Sequence, residues 1–128
     1  MLKNPNVGAL VFYVKELGRT EAFYRDVLGL DTRRVPDPAH GDFMMAQAGA
    51  TLLIFFQKEE RVGRTPTVVF MLEGGIDDLV AQLAAKGVQI VLPVSEAPGG
   101  GLSSDFLDPD KHVLSFYQPE GAKRSLKG

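Results

Sequence analysis

One plan occurs twice in this chain, and that repeat constrains the fold more than any other feature. The first copy runs from an apolar strand pattern, Leu10–Val14, through a helical pattern at about Arg19–Leu28 to Gly29. The second runs from Thr67–Leu72 through Ile76–Lys86 to Gly87. In both copies the glycine stands fifteen positions after the last apolar strand residue, Val14 or Leu72. A glycine there suits the left-handed residue that ends a helix. Three more candidate strands follow each unit: Asp31–Val35, Asp42–Gln47 and Thr51–Gln57 in the first half, then Val88–Leu92, 102–107 and 112–117 in the second. Each half therefore reads β-α-β-β-β, and repetition at half the chain length means two similar modules. The expected fold class is α+β, two βαβββ modules packed as a single domain over residues 1–128. Module one covers about 7–57, a polar connector 58–66, module two about 67–119, and a polar tail 120–128 that is expected to fray.

Within the first helix, Phe23 with Val27 and Tyr24 with Leu28 are i, i+4 pairs that predict an apolar stripe, and Glu21 is expected near the favourable end of the dipole. In the second, Asp77 and Asp78 occupy the first turn, and Leu79 with Leu83 face inward.

Charge and composition exclude several classes of function. A net charge of −2 supplies no basic footprint for nucleic acid and no polybasic patch for a membrane. The chain has no cysteine, so thiolate nucleophiles and cysteine-held zinc or iron–sulfur sites are absent. No apolar run approaches the roughly 20 residues of a membrane span, and the first residues lack the apolar core of a signal peptide. A cytoplasmic location is expected.

The segment VFYVKELGRTEAFYRDVLGL, with Val14, Glu16, Leu17, Phe23-Tyr24 and Leu28-Gly29, resembles the first-module signature of the vicinal oxygen chelate superfamily. DDLVAQLAAKGV and DFLDPDKHVLSFYQP resemble that family's second helix and closing hairpin, so the resemblance spans about residues 7 to 119. The superfamily includes glyoxalase I, bleomycin-resistance and fosfomycin-resistance proteins, and extradiol dioxygenases. It implies curved mixed sheets around a cavity, and in metal-dependent members up to four ligands on the first and last strands of each module. Carried over residue by residue, those positions are Ala9, Leu53 or a neighbour, Thr67 and Ser115, none of which is a carboxylate or imidazole. A catalytic divalent ion needs about three such ligands and an open position, so no metal and no other cofactor is expected.

Strand alternation from those four positions predicts the wall of a ligand pocket. Ala9 brings Val11 and Tyr13; Leu53 brings Phe55, with Met44 or Met45 from the strand before. Thr67 brings Val69 and Met71, and Ser115 brings Val113 and Tyr117. This apolar, aromatic set suits a flat or greasy organic molecule; the competing reading is that it is simply core. No inward carboxylate is expected, and an ordinary phenol with a pKa of about 10 is a poor proton donor by itself.

The leading expectation is a metal-independent small-molecule binding protein, sequestering an aromatic or hydrophobic drug or metabolite in the manner of bleomycin-resistance proteins. The alternative is a lyase or dioxygenase of the glyoxalase type with a non-standard site. The resemblance also implies a homodimer. His40, His112, Arg33-Arg34 and Glu59-Glu60 are expected at the surface, Gly99-Gly100-Gly101 as a flexible loop, and Asp108-Pro109-Asp110-Lys111 as the tight turn of the last hairpin.

Overall fold

The computed structural model describes residues 1–61, 66–109 and 111–127. Residues 62–65 of the expected connector, Asp110 of the expected turn and the last tail residue lie outside these. Among the described residues are eight strands and two α-helices in two compact units. One comprises Gly8–Thr67 and the other Met1–Val7 with the chain from Val68 onward. No helix is long and apolar enough to cross a membrane.

Module one contains β1 (Val7–Val14), α1 (Leu17–Ala22), β2 (Asp31–Val35), β3 (Phe43–Ala48) and β4 (Thr51–Gln57). The strands lie in the order β2-β3-β4-β1, with β1 parallel to β4 and the other pairs antiparallel. A parallel pair cannot be joined by a tight turn, and here α1 lies on the path between its two strands. Leu17 of α1 packs with Met44, Ala46 and Phe55, flanked by Phe12, Val14, Tyr24, Leu30 and Leu53. Phe55 is the centre of this core, its ring 5.2 Å from Phe12 and 4.6 Å from Tyr24.

Glu16, and not Glu21, satisfies the start of α1: its two carboxylate oxygens accept from the N–H groups of Gly18 and Arg19, each at 2.9 Å. Glu21 instead faces Arg25 and Arg34. The expected stripe is also corrected. After six α-helical residues the chain widens into a π-helical turn, Phe23–Val27, whose signature is the Leu28 N–H donating to the Phe23 carbonyl at 3.1 Å. The wider turn leaves Phe23, Val27 and Leu28 exposed, and Tyr24 alone of the four stripe residues packs into the core. Gly29 ends the turn in the left-handed region, as expected.

Module two repeats the plan with β5 (Thr67–Met71), α2 (Ile76–Ala85), β6 (Ile90–Glu96), β7 (Leu102–Leu107) and β8 (Val113–Gln118). Its order is β5-β8-β7-β6, again with the first strand parallel to the last. Ile76 and Leu83 of α2 pack on Phe106 and Phe116, with Leu79 alongside.

The tail is not frayed. The carbonyls of Lys123 and Arg124 accept from the N–H groups of Gly75 and Asp77, at the start of α2, at 2.7 and 3.0 Å. The buried Gln118 side chain accepts from Ile76 N–H at 3.0 Å. These bonds satisfy donors that a helix start otherwise leaves unpaired. Arg124 makes a two-pronged pair with Asp77, and Asp78 accepts from Leu126 N–H and the Ser125 hydroxyl, both at 2.8 Å.

Those bonds, the Leu126 N–H first, hold the Asp78 carboxyl below its ordinary value of 3.8. A depressed folded pKa means the contribution is complete above the ordinary value and is lost as pH falls through the lower one. The Leu126 amide resonance should therefore titrate with a midpoint below pH 3.8. A midpoint at the ordinary aspartate value would show that the strap is open in solution.

In the last hairpin, Asp108 accepts from His112 N–H and pairs with the His112 ring, both at 2.9 Å. Lys111 sits at φ +72°, a left-handed conformation that costs a side-chain-bearing residue roughly 1–2 kcal/mol. Lys111→Gly should raise stability by about 0.5–1 kcal/mol in urea unfolding, the gain being reduced by glycine's extra freedom in the unfolded chain.

Candidate ligand-binding faces

Each sheet has one face covered by its helix and one opposite. In module one, parallel register places Ala9 beside Leu52, Val11 beside Ile54 and Tyr13 beside Phe56. Antiparallel register adds Phe43 beside Phe56 and Met45 beside Ile54. These residues share the face opposite α1. Met44, Leu53 and Phe55 do not: they lie on the α1 side, Met44 and Phe55 fully buried in the core. The expected wall is corrected there by one residue on each strand, and a slip of one transfers a side chain to the other face. The position opposite α1 on β4 is aliphatic under either register, as Leu52 or Ile54.

Phe56 organises this face. Its ring centroid is 5.1 Å from Phe43 and 6.3 Å from Tyr13, and the Arg61 guanidinium stands 5.3 Å from the Tyr13 centroid. Tilted rings with a cation over one of them form an apolar platform with a polar margin.

In module two the face opposite α2 carries Val69, Met71, Val113, Ser115 and Tyr117, as alternation predicts. Thr67, at the start of β5, is buried, as are Val69 and Ser115. Register adds residues from β7: Asp105 stands opposite Ser115, and Ser103 opposite Tyr117. Asp105 is thus a carboxylate on a face expected to have none. Counting back across the last hairpin from Ser115 would have found it. The Ser115 hydroxyl donates to the Ser104 carbonyl at 3.2 Å, and the Tyr117 hydroxyl to the Gly100 carbonyl at 3.0 Å. Burial, then the nearby Glu120 carboxylate, raises the Tyr117 pKa above 10, making it a weaker acid than a free phenol.

That bond belongs to a closed turn where a flexible loop was expected. Ala97 N–H donates to the Gly101 carbonyl and Gly100 N–H to the Ala97 carbonyl, both at 3.0 Å. The histidines are turn-local: the Asp37 carboxylate holds the His40 ring at 3.2 Å, and the His112 side chain is exposed beside Asp108. Asp77 and Asp78 are occupied by the tail.

The superfamily's divalent metal does not fit the residues present. Ala9, Leu52 or Ile54, Thr67 and Ser115 offer two hydroxyls and no carboxylate or imidazole, and Ser115 already donates to backbone. Among the described residues no group of three or more histidine, cysteine, aspartate or glutamate side chains is placed to hold an ion.

A family model described as the Glyoxalase/Bleomycin resistance protein/Dioxygenase superfamily matches residues 6–116. A comparison with curated protein sequences gives no match. A hypothetical protein from Bacillus halodurans C-125 superposes with a TM-score of 0.76 at 14% identity, covering 92% of this chain and 96% of that one. Methylmalonyl-CoA epimerase from Mycobacterium tuberculosis gives 0.68 at 15% identity, with 93% of each chain covered. A superfamily member from Vibrio splendidus 12B01 gives 0.61 at 17%, covering 91% and 99%. At these identities the likeness is one of fold.

Proposed function

Because the chain belongs to the glyoxalase/bleomycin resistance protein/dioxygenase superfamily, we propose that it binds a small aromatic or hydrophobic molecule without a metal, on the sheet faces opposite its helices. The observation that carries this reading is the Tyr13–Phe43–Phe56 platform with Arg61 at its margin, and among the described residues no three metal-ligating side chains come together to hold an ion. Stacking and apolar contact supply affinity there. The reading includes a cytoplasmic homodimer that sequesters a drug or metabolite; sedimentation should then give twice the chain mass of 13.9 kDa.

Thermal-shift measurements against a panel of small aromatic compounds test it. A ligand at about 100 times its Kd stabilises the protein by about 2.7 kcal/mol. At least one compound should raise the melting temperature, and Phe56→Ala should abolish that rise. No response to any compound, or an equal response in the variant, would count against the platform.

A second reading, acid–base catalysis, draws on Asp105 opposite Ser115 and beside the Tyr117–Ser103 pair. Methylmalonyl-CoA epimerases are among the structural neighbours. In that case Asp105→Asn should abolish turnover while leaving ligand-induced stabilisation intact.

A further inference from the structure

Module one holds a recess that shares Phe56 with the platform and takes the rest of its wall from other residues. It lies where the start of α1, the middle of β2, the β2–β3 loop and the end of β4 converge, and has a volume of about 440 Å³, within the range of small-molecule pockets. Its chemistry differs from the platform's, because charged and amide side chains form most of the wall: Glu16, Arg34, His40, Asp42, Gln57 and Lys58.

The hydrogen bonds divide these groups into committed and uncommitted. Both oxygens of Glu16 are consumed by Gly18 and Arg19 N–H. Gln57 Oε1 accepts from Leu17 N–H at 3.0 Å, which leaves its amide NH2 as a donor. The start of α1 therefore has no spare N–H at these three residues, and any ligand must be held by side chains. His40 is oriented by Asp37, a carboxylate only 9% exposed, which accepts from Ala39 N–H, His40 N–H and the ring Nδ1. With Nδ1–H donated to Asp37, Nε2 of the neutral ring is an acceptor and adds no donor to the wall. Arg34 uses only Nε, 3.5 Å from Glu21, and Lys58 Nζ has no partner among the described residues. Against three side chains with a donor to spare, Asp42 is the one wall carboxylate not already capping a helix.

From this imbalance we infer that the recess is a binding site for a small organic oxyanion, a carboxylate or a phosphate monoester, held by Arg34, Gln57 and Lys58. Arg34 offers two Nη groups in the planar fork that matches such an anion, and Lys58 adds a mobile point charge. The Phe56 ring at the wall offers contact for the ligand's organic part. Occupancy does not depend on the platform being a ligand site, since none of the three donors belongs to it.

The test is an amide-resolved NMR titration of the full chain at constant ionic strength, with inorganic phosphate in one arm and acetate in the other. Saturable shifts are expected at Gly18, His40, Gly41 and Lys58 in at least one arm below about 50 mM, the range open to a few charge-assisted bonds. The arm that saturates at lower concentration identifies the head group. Arg34→Ala and Lys58→Ala should each weaken binding about tenfold. Non-saturating shifts spread over exposed lysines such as Lys3 and Lys86, or unchanged affinity in both variants, would overturn the assignment.

Discussion

Gly101→Ala is expected to cost about 3 kcal/mol of folding stability and to free the Tyr117 hydroxyl. A Cβ on Gly101 would lie 2.5 Å from the Gln118 carbonyl oxygen and 2.5 Å from the Tyr117 hydroxyl, with the residue at φ +81°. The left-handed backbone costs an alanine roughly 1–2 kcal/mol, and pushing aside packed atoms adds about 1–3. Gln118 cannot yield cheaply, because its side chain holds the start of α2 through Ile76 N–H. Gly29 is the control: its φ is +75° and nothing stands within 4 Å of an added Cβ, so Gly29→Ala should cost only the backbone part, about 1–2 kcal/mol. Urea unfolding reads both. Spectrophotometric titration of the phenols should show the Tyr117 pKa falling back toward 10 in Gly101→Ala. Equal costs for the two variants would mean that the turn does not close on Tyr117.

The second large effect separates two neighbouring phenylalanines. Phe55→Ala should cost about 3–5 kcal/mol, the usual range for emptying a phenylalanine site in a core. Its side chain is 0% exposed and touches the rings of Phe12 and Tyr24. A loss of that size approaches the whole stability of many small domains. Phe56→Ala should cost only about 1 kcal/mol, since it loses two ring contacts on a partly exposed face. The variant should remain folded with altered ligand response. If the costs were reversed, β4 would lie one residue out of register, and the platform would be on the wrong face.

The same two residues show where sequence reading reached its limit. The repeat was legible because both copies carry a strand, a helix and a stop residue at equal spacing, and both modules have the same strand order. Which face β4 turns to its helix was not legible. LLIFF is apolar on both faces, so alternation carries no contrast and a one-residue slip cannot be detected. β8 escaped this error because Ser115 and Tyr117 alternate with Leu114 and Phe116.

The π-helical turn was hidden for a related reason. Phe23 and Val27 have the spacing of an α-helical stripe, and local spacing does not reveal a widened turn. The tail was misjudged because its partners, Asp77 and Asp78, lie more than forty residues away in sequence. Polar composition describes a segment's own preference and not the carboxylates waiting for it. Asp105 comes to that face through β7, which hairpin pairing sets opposite Ser115 and which alternation along β8 alone does not reach.

The account's central claim is that recognition by this member of the superfamily needs no metal. Elemental analysis of protein purified without chelators tests it most directly. Zinc, nickel, manganese and iron are each expected far below one atom per chain, with the thermal response to a panel ligand unchanged by EDTA. One equivalent of any of them, removed by chelation together with activity or ligand response, would contradict the account.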